Sequence, residues 1–248
     1  MSLQWIAGRV ESKKIWTDGL FTLSIRCPGV APFEPGQFLQ IGLEQPEKHL
    51  HRPYSVASPH SEILDFYIVR VENGALTTLL WDLPVGAAID VSAKAAGSFT
   101  LSHTPALKTI WLIATGTGLA PYVAMLRDKA VWERYEKIVL VQGVRHSNDL
   151  AYLDEFSDHK RSHPEQFQFV SCTSRDSHPD ALAGRVTTRL ADGSLEEAAE
   201  LTISPKDSAV MLCGNPDMLN EMESILESRG LERQRAKRPG QIIVERYW

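Results

Sequence analysis

The run Thr109-Ile110-Trp111-Leu112-Ile113-Ala114 leads directly into Thr115-Gly116-Thr117-Gly118-Leu119-Ala120-Pro121. A continuous apolar run of this length marks a strand buried on both faces, and such strands belong to parallel sheets covered by helices. Ile138–Val141, Phe167–Cys172 and Ala209–Cys213 repeat the pattern, and Gln241–Glu245 closes it. Between them, Tyr122 to about Tyr135, Asp149 to about His159 and Pro216 to about Arg229 read as helices, with a further segment over Arg185–Leu190. Buried strands alternating with helices predict a parallel α/β sheet with right-handed crossovers.

Before Lys108 the pattern is different. Leu20–Ile25, Gln37–Leu43, Leu64–Val71 and Ala88–Val91 read as short strands punctuated by Pro and Gly at 28–29, 35–36, 73–74 and 84–86. Short strands with such turns predict a closed antiparallel barrel or sandwich. One helix is expected, around Ala75–Asp82. His103-Thr104-Pro105-Ala106 reads as a linker, so the expected domains are 1–103 and 108–248.

The composition removes several classes of function. A net charge of −5 gives no basic field for nucleic acid. No apolar run approaches the roughly 20 residues of a membrane span, and the N-terminus lacks the basic start and apolar core of a signal peptide. Cys27, Cys172 and Cys213 are isolated, with no CxxC, which argues against a zinc or iron–sulfur site and against a disulfide framework. A cytoplasmic, soluble protein without a metal is expected.

Ligands of open parallel sheets bind beyond the carboxyl ends of the strands. The loops to inspect are therefore Thr115–Pro121, Gly143–Asn148, Thr173–Arg185 and Gly214–Asp217. The first is close to a dinucleotide loop but carries Pro121 at the third glycine position, where Pro suits the start of a helix. No acidic residue ends the next strand to hold a free ribose 2′-hydroxyl; Arg145 stands there, and Arg175 and Arg185 follow the third strand. Three arginines at one edge suit a 2′-phosphate and so NADP over NAD, the alternative being solvated surface arginines. Gly214 leaves room for a flat ring, which Cys213 would face.

In the first half, Arg52-Pro53-Tyr54-Ser55 combines a fixed cation, a ring-locked backbone, an aromatic face and a hydroxyl. Those groups suit a flat, phosphate-bearing cofactor; the alternative is an ordinary strand. Gly74 and Thr77 would stand at the N-terminus of the expected helix, where free N–H groups and the helix dipole attract anions. A plain capped surface helix is the other reading.

Together, RPYS, the Gly74-x-x-Thr77 pair, GTGLAP, CGNPDM and the ending Val-Glu-Arg-Tyr-Trp resemble the ferredoxin–NADP⁺ reductase family, in its bacterial form, over essentially the whole chain. The resemblance implies an antiparallel β-barrel FAD domain followed by an α/β parallel-sheet NADP-binding domain, with electrons passing between NADPH and ferredoxin or flavodoxin. It implies that Arg52 contacts the FAD pyrophosphate, that Tyr54, next to Pro53, stacks on the isoalloxazine, and that Ser55 bonds near flavin N5. Tyr67, Gly74, Ala75, Leu76 and Thr77 would hold the ribityl–pyrophosphate part. Thr117 would lie between the flavin and nicotinamide sites. Val144, Arg145, Ser174, Arg175 and Arg185 would take the 2′-phosphate adenosine end, with Asn215, Pro216, Asp217 and Glu221 lining the rest. Tyr247 would cover the other flavin face and Trp248 would pack on the FAD adenine. Ser55, Cys213 and Glu245 would serve the hydride and proton steps. Pro53 departs from the Ala of the enterobacterial pattern.

The basic run Arg229, Arg233, Arg235, Lys237, Arg238 is a candidate docking surface for an acidic carrier; a solvated helix end is the alternative. A monomer is expected. Two rival functions stand beside this one: an NAD(P)H-dependent flavin reductase or oxygenase reductase component, and a non-catalytic FAD electron-transfer subunit. The second usually carries a cysteine cluster, which this chain lacks.

Overall fold

The computed structural model describes residues 3–235 and 238–246. The chain forms two compact units, one of Met1–Leu101 with Ala120–Asp128, the other of Ser102–Leu119 with Lys129–Trp248.

The first unit contains β1 (Trp5–Thr17), β2 (Leu20–Arg26), β3 (Phe38–Glu44), β4 (His49–Ser55), β5 (Ile63–Val69), α1 (Ala75–Asp82) and β6 (Ala88–Ser92). The strands make one antiparallel sheet in the order β4-β3-β6-β1-β2-β5. The two end strands meet: Val56 bridges Phe66, and the Ala57 N–H donates to Asp65 O at 2.7 Å. That closure gives the barrel expected from the sequence. Its interior holds Phe21, Leu23, Ile25, Ile41 and Phe66, with Leu76 and Leu80 of α1 in the same cluster. Between β1's ends only Gly8 and Val10 are buried, so β1 carries no alternating apolar signal although it lies between β6 and β2 inside the sheet.

Helix α2 (Ala120–Leu126) belongs to this unit. Just after it, the Arg127 guanidinium donates to Asp65 Oδ2 at 2.7 Å and to Ala57 O at 3.0 Å. Tyr122 lies 5.9 Å from Phe99, ring centre to ring centre. The expected single helix from Tyr122 to about Tyr135 is two helices. The Asp128 N–H turns back to Met125 O at 3.2 Å, which tightens and ends α2, and α3 (Lys129–Arg134) starts afresh in the second unit.

The second unit continues with β7 (Thr109–Thr115), β8 (Lys137–Val144), α4 (Leu153–Ser162), β9 (Phe167–Thr173), β10 (Ala181–Ala183), α5 (Val186–Ala191), α6 (Ser194–Ala199), β11 (Ser208–Cys213), α7 (Pro216–Ser228) and β12 (Ile242–Glu245). All pairings are parallel, in the order β10-β9-β8-β7-β11-β12. Every residue of β11 is buried, and β7 and β8 are buried except at their ends. One face packs Trp111, Ile113 and Val141 against Leu190, Leu219 and Leu226 of the helices. Helix α4 starts later than the expected Asp149: Ser147–Asp149 form a separate short turn, and Tyr152 takes a left-handed conformation (φ 64°) just before the helix. Helix α6 and strand β10 were not expected; both are short, and α6 buries only Leu195 and Ala199.

Candidate cofactor and dinucleotide sites

Strand β4 forms one end of the sheet, so Pro53 sits where a missing N–H is tolerated. Arg52 and Tyr54, opposite Ile41 and Leu39 of β3, project from one face of the strand because side chains alternate along it. Arg52 is exposed and its guanidinium donates to His51 O at 2.7 Å. Tyr54 is half-buried, and burial pushes its phenol up to about 12, with the Arg52 charge opposing. Ser55 ends the strand and is buried, as is Tyr67 in β5, opposite Thr22.

Helix α1 begins at Ala75, and its first-turn amides, those of Ala75, Leu76 and Thr77, have no acceptor within the helix. No acidic residue stands in that turn, and Gly74 makes no side-chain cap bond. Leu76 is buried in the barrel cluster, so its N–H is the group it can offer. The Thr77 hydroxyl accepts the Val71 N–H at 3.1 Å. A Cβ at Gly74 would stand 2.5 Å from Thr77 Oγ1 and 2.9 Å from Val71 O, so the turn itself demands glycine there. An open groove of about 600 Å³ adjoins this turn, lined by Asp18, Arg70, Glu72, Gly74 and Ala75 among others. It includes none of Arg52–Ser55, and its two carboxylates disfavour a phosphate. Strand β4 thus offers an exposed cation and a half-buried ring, and α1 offers open first-turn amides, groups of the kind a planar, diphosphate-bearing ligand uses.

In the second unit the expected arginines collect at the carboxyl ends of β8 and β9. The Ser174 N–H donates to Val144 O at 3.1 Å, the Arg175 N–H to Arg145 O at 2.8 Å, and the Gly184 N–H to Thr173 O at 2.7 Å. Arg145, Arg175 and Arg185 are thereby brought to one end of the sheet, all exposed. Among the described residues no carboxylate lies within 4.0 Å of any of the three guanidinium groups. The Ser174 hydroxyl donates to Val144 O at 3.3 Å. The sequence pointed to these residues but not to Asp176. Its carboxylate accepts the Ser147 N–H at 2.9 and 3.0 Å and the Ser147 hydroxyl at 3.1 Å.

The loops after β7 and β11 are stitched together. The Asn215 N–H donates to Thr115 Oγ1 at 2.9 Å, and a Cβ on Gly118 would stand 2.5 Å from Cys213 O. Gly214 (φ 136°) lies against Thr115, so packing on Thr115 is what requires glycine there. Thr117 lies half-buried in the single turn Gly116–Leu119, and Pro121 is the second residue of α2 rather than the first. Asn215 caps α7 by accepting the Asp217 and Met218 N–H groups, Pro216 is the first helical residue, and Asp217 and Glu221 are exposed. Cys213 is fully enclosed, and Glu245 pairs with it across β11 and β12. Tyr247 and Trp248 lie outside the described residues, as does Lys237.

The basic run is largely neutralised within its own unit. Arg229 pairs with Glu196 at 2.8 Å, Arg233 with Glu223 at 3.2 Å and Arg238 with Glu232 at 2.5 Å. Glu223 also accepts from Arg246.

Residues 9–100 match the oxidoreductase FAD-binding domain, and residues 112–224 the oxidoreductase NAD-binding domain. The flavodoxin/ferredoxin–NADP reductase of Buchnera aphidicola (subspecies Baizongia pistaciae) is 36% identical over 247 residues, covering 98% of this chain and 99% of the relative. The chain belongs to the flavodoxin/ferredoxin–NADP reductase family. The Escherichia coli K12 member is 35% identical over 246 residues, with 98% and 99% covered. A ferredoxin NADP⁺ reductase from Neisseria gonorrhoeae, crystallised with bound FAD and NADP, shares the fold of this family member with a TM-score of 0.94. It is 26% identical, and all of both chains is covered. The reductase's NAD-binding match runs through Ala120–Asp128, although those residues pack with the first unit.

Proposed function

We propose that this reductase carries electrons between NADPH and a ferredoxin or flavodoxin through FAD, as a cytoplasmic monomer. Among the described residues no helix is long and apolar enough to cross a membrane. The observation that supports the reading best is the group of three guanidiniums, with no carboxylate within 4.0 Å among the described residues, past the ends of β8 and β9. Exposed guanidiniums at one end of the sheet with no carboxylate to answer them are free to meet an anion, and a 2′-phosphate accepts bidentate guanidinium bonds.

FAD, when bound, supplies N5 as the hydride acceptor and turns a two-electron donor into a one-electron donor. The protein's part is placement. Arg52 and the α1 amides at Ala75–Thr77, with Gly74 at the cap, hold the diphosphate. Tyr54, set by Pro53, offers its ring face, Tyr67 borders the ribityl chain, and the Ser55 hydroxyl orients the reactive edge. Thr117 and Cys213 set the nicotinamide position, and Glu245 manages a proton. Arg145, Arg175, Arg185, Ser174 and the Val144 backbone take the 2′-phosphate end, beside Asn215, Pro216, Asp217 and Glu221. Tyr247 and Trp248 are assigned to the flavin by the family resemblance alone. The run Arg229, Arg233, Arg235, Lys237, Arg238 meets the acidic carrier, with Arg235 the one of its described members that pairs with no carboxylate among the described residues.

The test is steady-state oxidation of NADPH and NADH by the FAD-loaded protein, with ferredoxin, flavodoxin and a dye as separate acceptors. Replacing Arg145 and Arg185 by Ala removes two charge-assisted contacts. Taking about 1.5 kcal/mol each, the NADPH KM rises roughly 100-fold and the NADH KM stays put. Equal effects on both cofactors would reject the 2′-phosphate assignment. Neutralising Arg235 and Lys237 lowers carrier turnover and its salt dependence but spares the dye rate; equal losses would reject docking at the run.

A further inference from the structure

The loops bearing Arg145 and Arg175 are joined by more than the Arg175 N–H to Arg145 O bond. One residue beyond Arg175, the Asp176 carboxylate reaches across to Ser147, two residues beyond Arg145. It accepts the Ser147 N–H with both oxygens, at 3.0 and 2.9 Å, and the Ser147 hydroxyl at 3.1 Å. His146 Nδ1 stands 3.7 Å from the same carboxylate. The base of the Asp176 loop is tied down in turn, because the Thr173 hydroxyl donates to Asp176 O at 2.9 Å. These bonds close a ring: Arg145, His146, Ser147, Asp176, Arg175 and back to Arg145. The Ser147 backbone bond, before any other cause, holds the Asp176 carboxyl below the usual carboxylate range, so it is charged at neutral pH.

By charge alone, this carboxylate is ill-placed. It stands next to two arginines that take a phosphate, and it repels an incoming anion, though weakly through water and salt. Its bonds do the reverse, since they join the backbone just after Arg145 to the residue just after Arg175. A bidentate contact needs its donors placed before the ligand arrives, and ordering them on binding reduces affinity.

We propose that Asp176 is a positioning residue that clamps the Arg145 loop to the Arg175 loop, so that both guanidiniums are presented together to the 2′-phosphate and the phosphorylated dinucleotide is preferred. This rests on the phosphate reading of those arginines given above. The clamp and the bare charge act with opposite signs, and the sign is measurable.

The experiment compares Asp176→Ala, Asp176→Asn, Ser147→Ala and, for the underlying reading, Arg175→Ala, each as FAD-loaded protein with a dye acceptor. KM and kcat are measured with NADPH and NADH, and 2′,5′-ADP binding by calorimetry. Asp176→Ala raises the NADPH KM and weakens 2′,5′-ADP roughly tenfold, the worth of one charge-assisted hydrogen bond, without moving kcat or the NADH KM. Asp176→Asn falls between Asp and Ala, since its amide oxygen still accepts the Ser147 N–H. Ser147→Ala, which removes only the hydroxyl bond, gives a smaller rise and carries the test if Asp176→Ala does not fold. An NADPH KM that is unchanged or lowered in both Asp176 variants, while Arg175→Ala raises it, overturns the clamp and leaves Asp176 a neighbouring charge. If Arg175→Ala changes neither KM nor 2′,5′-ADP binding, the phosphate reading itself fails and the clamp with it.

Discussion

Gly214→Ala tests the seam between the loops after β7 and β11. Gly214 has φ 136°, and a Cβ added there would stand 2.2 Å from Thr115 Oγ1, 2.7 Å from Thr115 O and 2.9 Å from Thr115 N. Two of those three atoms are backbone, so turning the Thr115 side chain relieves only part of the clash. Backbone strain contributes about 1–3 kcal/mol and overpacking about 1–3 kcal/mol, roughly 2–6 kcal/mol together. At about 2–4 °C per kcal/mol for a chain of this size, the unfolding midpoint falls by roughly 4–24 °C. Gly193→Ala is the matched control in the same unit. Its φ is 85° with nothing within 4 Å of the added Cβ, so it bears strain alone, about 1–2 kcal/mol or roughly 2–8 °C. The midpoints are read by far-UV circular dichroism on the two variants side by side. An equal or smaller drop for Gly214→Ala would refute the clash with Thr115. Because the Asn215 N–H is bonded to Thr115 Oγ1, the same variant also raises the NADPH KM.

Two further outcomes are expected. Tyr54→Ala removes the half-buried ring of β4, and purified protein then carries less FAD or shows a shifted flavin absorption band; an unchanged spectrum at full occupancy would reduce Tyr54 to a strand residue. At alkaline pH, burial raises Cys27 from 9.0 to about 11, Cys172 from 9.0 to about 12 and Tyr54 from 10.0 to about 12. The folded state holds all three neutral beyond their unfolded pKa values, so the stability they lend is whole below pH 9 and is lost as pH climbs toward about 12. Urea midpoints that stay flat across that range would contradict it.

Much of the second unit was legible because β7, β8 and β11 are buried on both faces and therefore read as unbroken apolar runs. The barrel was legible through its turns and through β2, β3 and β5, but β1 was not. Its flanks face solvent, and even Ile15 is 49% exposed, so no periodicity survives there. The break at Arg127–Asp128 was hidden for another reason: beside it Arg127 bonds Asp65, a partner 62 residues away that no local pattern reveals. At the candidate sites, residue type announced Arg52, Tyr54 and the three arginines. Pairing with acids decides which cations remain available, and that is a tertiary property: Arg229, Arg233 and Arg238 are answered by Glu196, Glu223 and Glu232, while Arg145, Arg175 and Arg185 are not. Asp176 shows the same limit, since only the hydrogen bonds of Ser147 single it out from other loop acids.

Strand β4 bonds to β3 along one side, and among the described residues its other side gains a strand partner only past its end, at the Val56–Phe66 bridge. An open strand edge invites a second copy to add on and begin an aggregate. At the middle of that edge stand Arg52, whose charge resists burial against another chain, and Pro53, which has no N–H to offer a new ladder. The positions proposed to serve the cofactor are thus also ones that disfavour pairing with a second copy. A β-branched residue at position 53 could leave turnover intact and still be lost to self-association during synthesis, before any cofactor arrives.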